Sequence, residues 1–136
     1  MPEDRRPPQR AGASARSATG LAVLLVGAGV LHGLVPRPYA AILPRFLGAP
    51  RAWVYGSGAA ELAVGAAVAR PATRRLGGLA AAALFVVVFP ANVTMAVRAL
   101  RSRRGPVVTA VALLRLPLQY PLVRWALAVS RADGAA

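Results

Sequence analysis

Cysteine and lysine are both missing from this sequence of 136 residues. Without cysteine there are no disulfides, thiolate nucleophiles or Cys-ligated metals, so any redox role needs a bound cofactor. Histidine occurs once, and Glu61 is the one acidic residue away from the termini. These residues supply no catalytic triad, no carboxylate pair and no metal site. No catalytic arrangement is supported, so the sequence favours a non-enzymatic protein without deciding the question.

All 17 basic residues are arginine, and the formal net charge is +13. Such a charge is typical of nucleic-acid binders, but these arginines lie at the ends of apolar blocks and not along one helix face or aromatic platform. Arginines in that position anchor a protein in the lipid headgroup region. We therefore expect a lipid bilayer as partner and no nucleic acid.

Apolar residues make up 57% of the chain, against roughly 45 to 50% in ordinary soluble domains. The mean hydropathy is +0.52 for a mass of 14.0 kDa. A soluble globule of this size has too little interior to bury its long Ala, Leu and Val blocks. The chain is also too short for two cores, so we predict one all-α unit in the membrane.

Three runs between arginines match the length of a membrane span: 17–36, 52–69 and 76–97. At about 1.5 Å per residue, each crosses a hydrocarbon core of about 30 Å. The run 106–130 is apolar enough to span but contains two arginines and two internal prolines, which makes it the least certain of the four. Short polar connections predict antiparallel neighbours, and hence a polytopic, antiparallel four-helix transmembrane bundle over residues 17–130.

Segments outside the spans are predicted from composition. Residues 1–16 are rich in Pro and Arg without apolar periodicity, which predicts a disordered tail, and 131–136 form a short polar tail. A cleaved signal peptide is the alternative for 17–36, but this run is longer than an ordinary signal core. Residues 39–47 predict an interfacial amphipathic segment kinked at Pro44. Arginines divide eight to seven between the two sides, and we expect both termini in the cytoplasm of a bacterial plasma membrane.

Each predicted span carries a polar residue, although a charge at mid-membrane costs about 2.5 to 3.5 kcal/mol on insertion scales. The candidate binding residues are His32, Glu61, Asn92, Arg115 and Gln119. Pairing Glu61 with Arg115 would remove two penalties with one contact, so we predict that ion pair. The set either lines a pocket for a quinone-like headgroup, another polar ligand or a proton, or only locks the helices in register.

Glycines and prolines refine these predictions. Glu61 shares a helix face with Gly58 and Gly65, which would let another helix approach closely. Pro90, Pro117 and Pro121 each leave a backbone carbonyl without its helical donor, and nearby Asn92, Arg115 or Gln119 could satisfy such acceptors.

Five segments occur in an order that resembles the bacterial DoxX-like family of small four-span membrane proteins. They are HGLVP at 32–36, ILP at 42–44, SGAAE at 57–61, FPAN at 89–92 and RLPLQ at 115–119. The resemblance covers most of residues 20–128 and implies a four-helix membrane bundle. That family takes its name from subunits associated with quinol oxidase and thiosulfate:quinone oxidoreductase systems, and is related to redox proteins of the MauE type. This chain departs from relatives that use cysteines, which argues against thiol redox chemistry.

Three functions follow as hypotheses. The first is an accessory subunit of a membrane redox system, with a membrane redox partner protein and a quinone or lipid headgroup bound at a Glu61/Arg115 site. The second is a proton-coupled small-solute carrier that uses Glu61. The third is a membrane scaffold or assembly factor whose polar residues serve packing alone. The sequence leaves the oligomeric state open.

Overall fold

The computed structural model is almost entirely helical over the residues that it describes, which are 8–43, 46, 48–102 and 105–132. Four long helices carry the fold: α1 (Pro8–Leu34), α3 (Pro50–Ala69), α4 (Arg74–Arg101) and α5 (Pro106–Ala132). A short helix α2 (Pro36–Ile42) joins α1 to α3, and a 3₁₀ turn (Pro71–Thr73) leads into α4. The all-α prediction is confirmed for this part of the chain.

Proline and glycine set the helix boundaries. Pro8, Pro36, Pro50 and Pro106 are each the first residue of a helix, where a missing N–H costs nothing and φ already suits the helix. Gly105 has a φ of 89° immediately before α5, which a glycine adopts without steric cost. The helix starts are therefore encoded locally.

The observed bounds differ most from the predicted ones at the amino-terminal end. Residues 8–16, predicted to be a disordered tail, form the first turns of α1. Alanines and arginines are strong helix formers even without apolar periodicity, which explains the longer helix. The rest of that predicted tail, residues 1–7, lies outside the described residues, as do Pro44 and residues 133–136.

Three helical segments are long and apolar enough to cross a membrane: Gly12–Leu34, Pro71–Arg101 and Pro106–Ala132. The protein is therefore a helical protein with membrane-spanning character. Helix α3 does not meet this criterion of length and apolar character, because Glu61, Ser57 and several glycines lower its mean hydropathy. The sequence instead indicated 106–130 as the least certain span, and α5 meets the criterion.

Small residues dominate the core where the helices meet. The most extensive contacts join α4 to α5 and α1 to α3, while α3 meets α4 more sparsely. The main buried cluster combines Leu21 and Leu25 of α1 with Val68 of α3 and alanines of α4 and α5. Small side chains let helix backbones approach closely, which is the usual packing solution where lipid replaces water.

Candidate functional site

Glycines at the α1–α3 contact bring the two helices close together at the centre of the site. A Cβ added at Gly29 would lie 2.7 Å from the carbonyl oxygen of Gly58, and one at Gly58 would lie 2.8 Å from Cβ of His32. The buried residues of α3 are Val54, Gly58, Gly65 and Val68. The α3 face predicted from the sequence is thus the face that packs against α1.

This close approach sets His32, on the last turn of α1, against Glu61 of α3. Nδ1 of His32 lies 2.9 Å from Oε2 of Glu61, and the two side chains are 14% and 12% exposed. Nδ1 also lies 2.8 Å from the carbonyl oxygen of Ala28. A carbonyl can only accept, so this contact requires the hydrogen to be on Nδ1.

Glu61 Oε2 is consequently a buried acceptor that lacks an aligned donor among the described residues. Its 2.9 Å separation from Nδ1 is short enough for an ion pair, but Nδ1 has a single hydrogen and the Ala28 carbonyl oxygen lies 2.8 Å from the same nitrogen. Buried polar atoms of folded proteins nearly always have a hydrogen-bond partner. The free acceptor therefore marks a place where a ligand with an O–H or N–H group would be stabilised.

A second polar group joins α4 to α5. Asn92 donates from Nδ2 to Oε1 of Gln119 at 3.2 Å, and Gln119 donates from Nε2 to the carbonyl oxygen of Phe85. Gln119 is only 8% exposed. The amides therefore bridge the helices, and Gln119 satisfies the carbonyl of Phe85 rather than one freed by a proline.

Arg115 does not form the expected ion pair with Glu61. Its Nη1 lies 3.8 Å from Sδ of Met95 on α4, and the carboxylate of Glu61 is paired with His32. Helix packing explains this difference from the prediction. Gly29 and Gly58 let α1 lie closer to α3 than α5 does. Both charged side chains nevertheless border the same cavity.

All five candidate residues line one cavity. It has a volume of about 310 Å³ and is lined by His32, Glu61, Asn92, Arg115 and Gln119 together with apolar side chains of the four long helices. This volume lies at the small end of the range for ligand pockets, about 300 to 1,000 Å³. An apolar wall with a few convergent polar groups is the usual composition of such pockets.

Tyr39 is a wall residue that the sequence did not assign to the site. It lies on α2, and its ring stacks on the His32 imidazole with centroids 3.9 Å apart and planes 24° apart. The sequence placed Tyr39 in an interfacial segment, and only the turn at Val35 brings it back over α1. The stacked aromatic ring restricts the orientation of the imidazole.

Comparison with known proteins adds the family and nothing about chemistry. No curated protein and no solved structure matches this chain. Residues 21–130 match the family described as Domain of unknown function (DUF8561), a stretch that contains every cavity-lining residue. The match spans most of the chain, and the protein therefore belongs to the DUF8561 family.

Proposed function

We propose that this protein is a four-span integral membrane protein of the bacterial plasma membrane, with antiparallel helices and both termini in the cytoplasm. The support for the additional span is the packing of α3. It is 20 residues long, about 30 Å at 1.5 Å per residue, and it packs along α1 at Gly58 and Gly65. A helix that lies alongside a membrane-spanning helix over this length belongs at the same depth.

We propose further that the cavity binds the ring headgroup of a lipid-soluble quinone, in an accessory subunit of a membrane redox system. The observation that carries this proposal is the unsatisfied Glu61 Oε2 inside a cavity bordered by Asn92 and Arg115. A quinol hydroxyl can donate to that carboxylate, and a quinone carbonyl can accept from the guanidinium or the amide.

The charge of the cavity favours a neutral ring over a phosphate headgroup. One carboxylate, one guanidinium and one imidazole border it. A phosphate would approach Arg115 at the cost of repulsion from the buried Glu61, and anion sites more often combine several donors without an acid. The resemblance to the DoxX-like family, whose named members associate with quinone-linked systems, agrees with this choice.

The test is binding of a tail-free benzoquinone ring to purified protein in nanodiscs. We expect Glu61→Gln and Arg115→Leu each to weaken binding about tenfold, as the loss of one charged hydrogen bond predicts. The matched control is Arg124→Leu, one α5 arginine that does not line the cavity. Equal binding by wild type and both cavity variants would overturn the proposal, and competition by a single-chain phospholipid would assign the cavity to lipid headgroups.

A proton-coupled carrier is the second candidate, favoured by the contact between His32 and Glu61 inside a cavity. An imidazole beside a carboxylate can exchange a proton with a bound solute. This function predicts pH-driven solute flux into proteoliposomes, lost in Glu61→Gln. Quinone binding without any such flux supports the redox subunit over the carrier.

A further inference from the structure

A groove opens on the outer surface beside the cavity, between α3 and α4. It has a volume of about 690 Å³ and is lined mainly by apolar side chains, among them Phe46, Leu84 and Val87. Phe46 and Val87 are 87% and 73% exposed. The groove therefore offers an apolar channel that faces the lipid and not the core.

The groove and the polar cavity adjoin each other. Five residues line both spaces: Leu43, Trp53, Ser57, Val88 and Ala91. A molecule that extends from the cavity past these shared side chains enters the groove. The shared wall gives the composite site one polar end and one apolar end.

The ionisable side chains are confined to the inner end. His32, Glu61 and Arg115 line the cavity and not the groove, whereas Ser57 and Thr94 are the hydroxyl side chains along the groove. The Thr94 hydroxyl donates to the Pro90 carbonyl of its own helix at 3.0 Å. An occupant of the groove is therefore stabilised by van der Waals contacts with apolar side chains and not by removal from water, because the surrounding lipid is itself apolar.

Local packing explains why the opening lies at this position. The contact between α3 and α4 is sparser than the α1–α3 and α4–α5 contacts. Gly56 lines the groove, and a Cβ added there would meet no atom within 4 Å. A gap between two helices at membrane depth gives a lipid-soluble molecule lateral access.

We infer that the ligand is a quinone with a long isoprenoid or alkyl tail, whose ring occupies the cavity and whose tail lies in the α3–α4 groove. This inference rests on the proposed function and adds where the tail lies and the path by which the ligand enters. A water-soluble quinone would use only the inner half of the site. A tailed quinone fills both halves.

The experiment compares two ligands, a benzoquinone ring with a decyl tail and the same ring without a tail, binding to protein in nanodiscs. Gly56→Phe places a side chain in the groove, and Gly27→Phe is its control, since a Cβ at Gly27 also meets nothing within 4 Å and Gly27 lines neither space. We expect Gly56→Phe to weaken binding of the tailed ring about tenfold or more, because the new side chain displaces the tail from its contacts in the groove, while leaving the tail-free ring unchanged. Gly27→Phe should change neither.

The other outcomes separate the two proposals. If Gly56→Phe weakens neither ligand, or weakens both equally, the groove does not hold the tail and the inference is overturned while ring binding stands. If wild type binds the tailed ring no more tightly than the bare ring, the inference is likewise overturned. If wild type binds neither ring, the proposed function fails first.

A measurement on wild type alone supplies a second test that does not depend on a variant folding. A tailed quinone with a photoreactive group at the end of its tail should label residues 84–94, which border the groove. Labelling confined to the exposed α5 residues Val107, Val111 and Leu114 would contradict the inference, because they line neither the groove nor the cavity.

Discussion

Glu61 and His32 form the pair from which the rest of the site follows. The two side chains lie one helical turn beyond Gly58 and Gly29, respectively, and these glycines set the separation of α1 and α3. In an apolar layer a carboxylate without a partner is strongly disfavoured. The contact therefore accounts for how Glu61 is tolerated in α3, and Oε2, the oxygen in that contact, still lacks an aligned hydrogen bond among the described residues.

The pairing predicts energetic coupling between Glu61 and His32. In a double-mutant cycle with Glu61→Gln and His32→Leu, we expect a coupling of about 0.6 to 1.7 kcal/mol, the range measured for polar pairs in membrane helices. The cycle of Glu61→Gln with Arg115→Leu should give less than about 0.5 kcal/mol, as expected for side chains without a direct contact. Unfolding of purified protein in detergent, followed by tryptophan fluorescence, measures both.

Abundance in the membrane tests the scaffold hypothesis, in which the polar residues serve packing alone. A scaffold predicts that Glu61→Ala lowers abundance in the membrane and that a second change at its partner restores part of it. If Arg115→Leu restores abundance and His32→Leu does not, the observed pairing is contradicted. If Glu61→Ala does not lower abundance, Glu61 has no packing role, and ligand binding is the remaining reason for its presence.

Gly29 is the glycine whose replacement should separate the pair. In Gly29→Ala the new Cβ would lie 2.7 Å from a backbone carbonyl of α3, which cannot rotate away. We expect a loss of about 1 to 3 kcal/mol in unfolding free energy, the usual cost of overpacking, together with weaker ring binding. Gly27→Ala on the same helix meets nothing within 4 Å and should be neutral or stabilising by up to about 1 kcal/mol. Equal stability of the two variants contradicts the close contact.

At the scale of the helix, Gln119 is the residue that fixes α5 against α4. It accepts from Asn92 and donates to the Phe85 carbonyl, and it is buried. Gln119→Leu should therefore lower unfolding free energy by about 1 to 2 kcal/mol, since hydrogen bonds are lost on both sides of the amide. Thr109→Val is the control, because the Thr109 hydroxyl bonds only to Gly105 one turn earlier. Thermal unfolding in one detergent compares the two.

Helix bounds were largely predictable because local chemistry sets them. Arginines and prolines end the apolar runs, so the predicted 52–69 and 106–130 correspond to Pro50–Ala69 and Pro106–Ala132. The start of α1 was not predictable from apolar periodicity, since residues 8–16 are helical through propensity.

Side-chain partners were less predictable, because they depend on which helices meet. From the sequence, His32, Glu61 and Arg115 were predicted to lie at membrane depth. Glu61 was assigned to Arg115 only because the two carry opposite charges. The structure pairs it by proximity across the glycine contact. A signal was present in the sequence: His32 follows Gly29 by three residues, as Glu61 follows Gly58. Tyr39 had no comparable signal, since α2 folds back only in three dimensions.

At the scale of the whole molecule, α3 decides the topology. Four spans put the two termini on one side of the membrane, whereas three spans put them on opposite sides. The natural chain contains no cysteine, so single cysteines placed at Glu3, Ala72, Ser102 and Ala132 report their side without background. A membrane-impermeant maleimide applied to spheroplasts, before and after permeabilisation, makes the measurement.

With four spans and cytoplasmic termini, Ser102→Cys alone should label before permeabilisation, and the other three should label only afterwards. If Glu3→Cys and Ala132→Cys label from opposite sides, α3 does not cross. Glu61 and Ser57 would then face water at the membrane surface, where a carboxylate needs no buried partner. The cavity would also lose its lipid-facing side, and with it the physical reason for assigning the site to a lipid-soluble ligand. The labelling pattern thus tests the spans and the ligand class together.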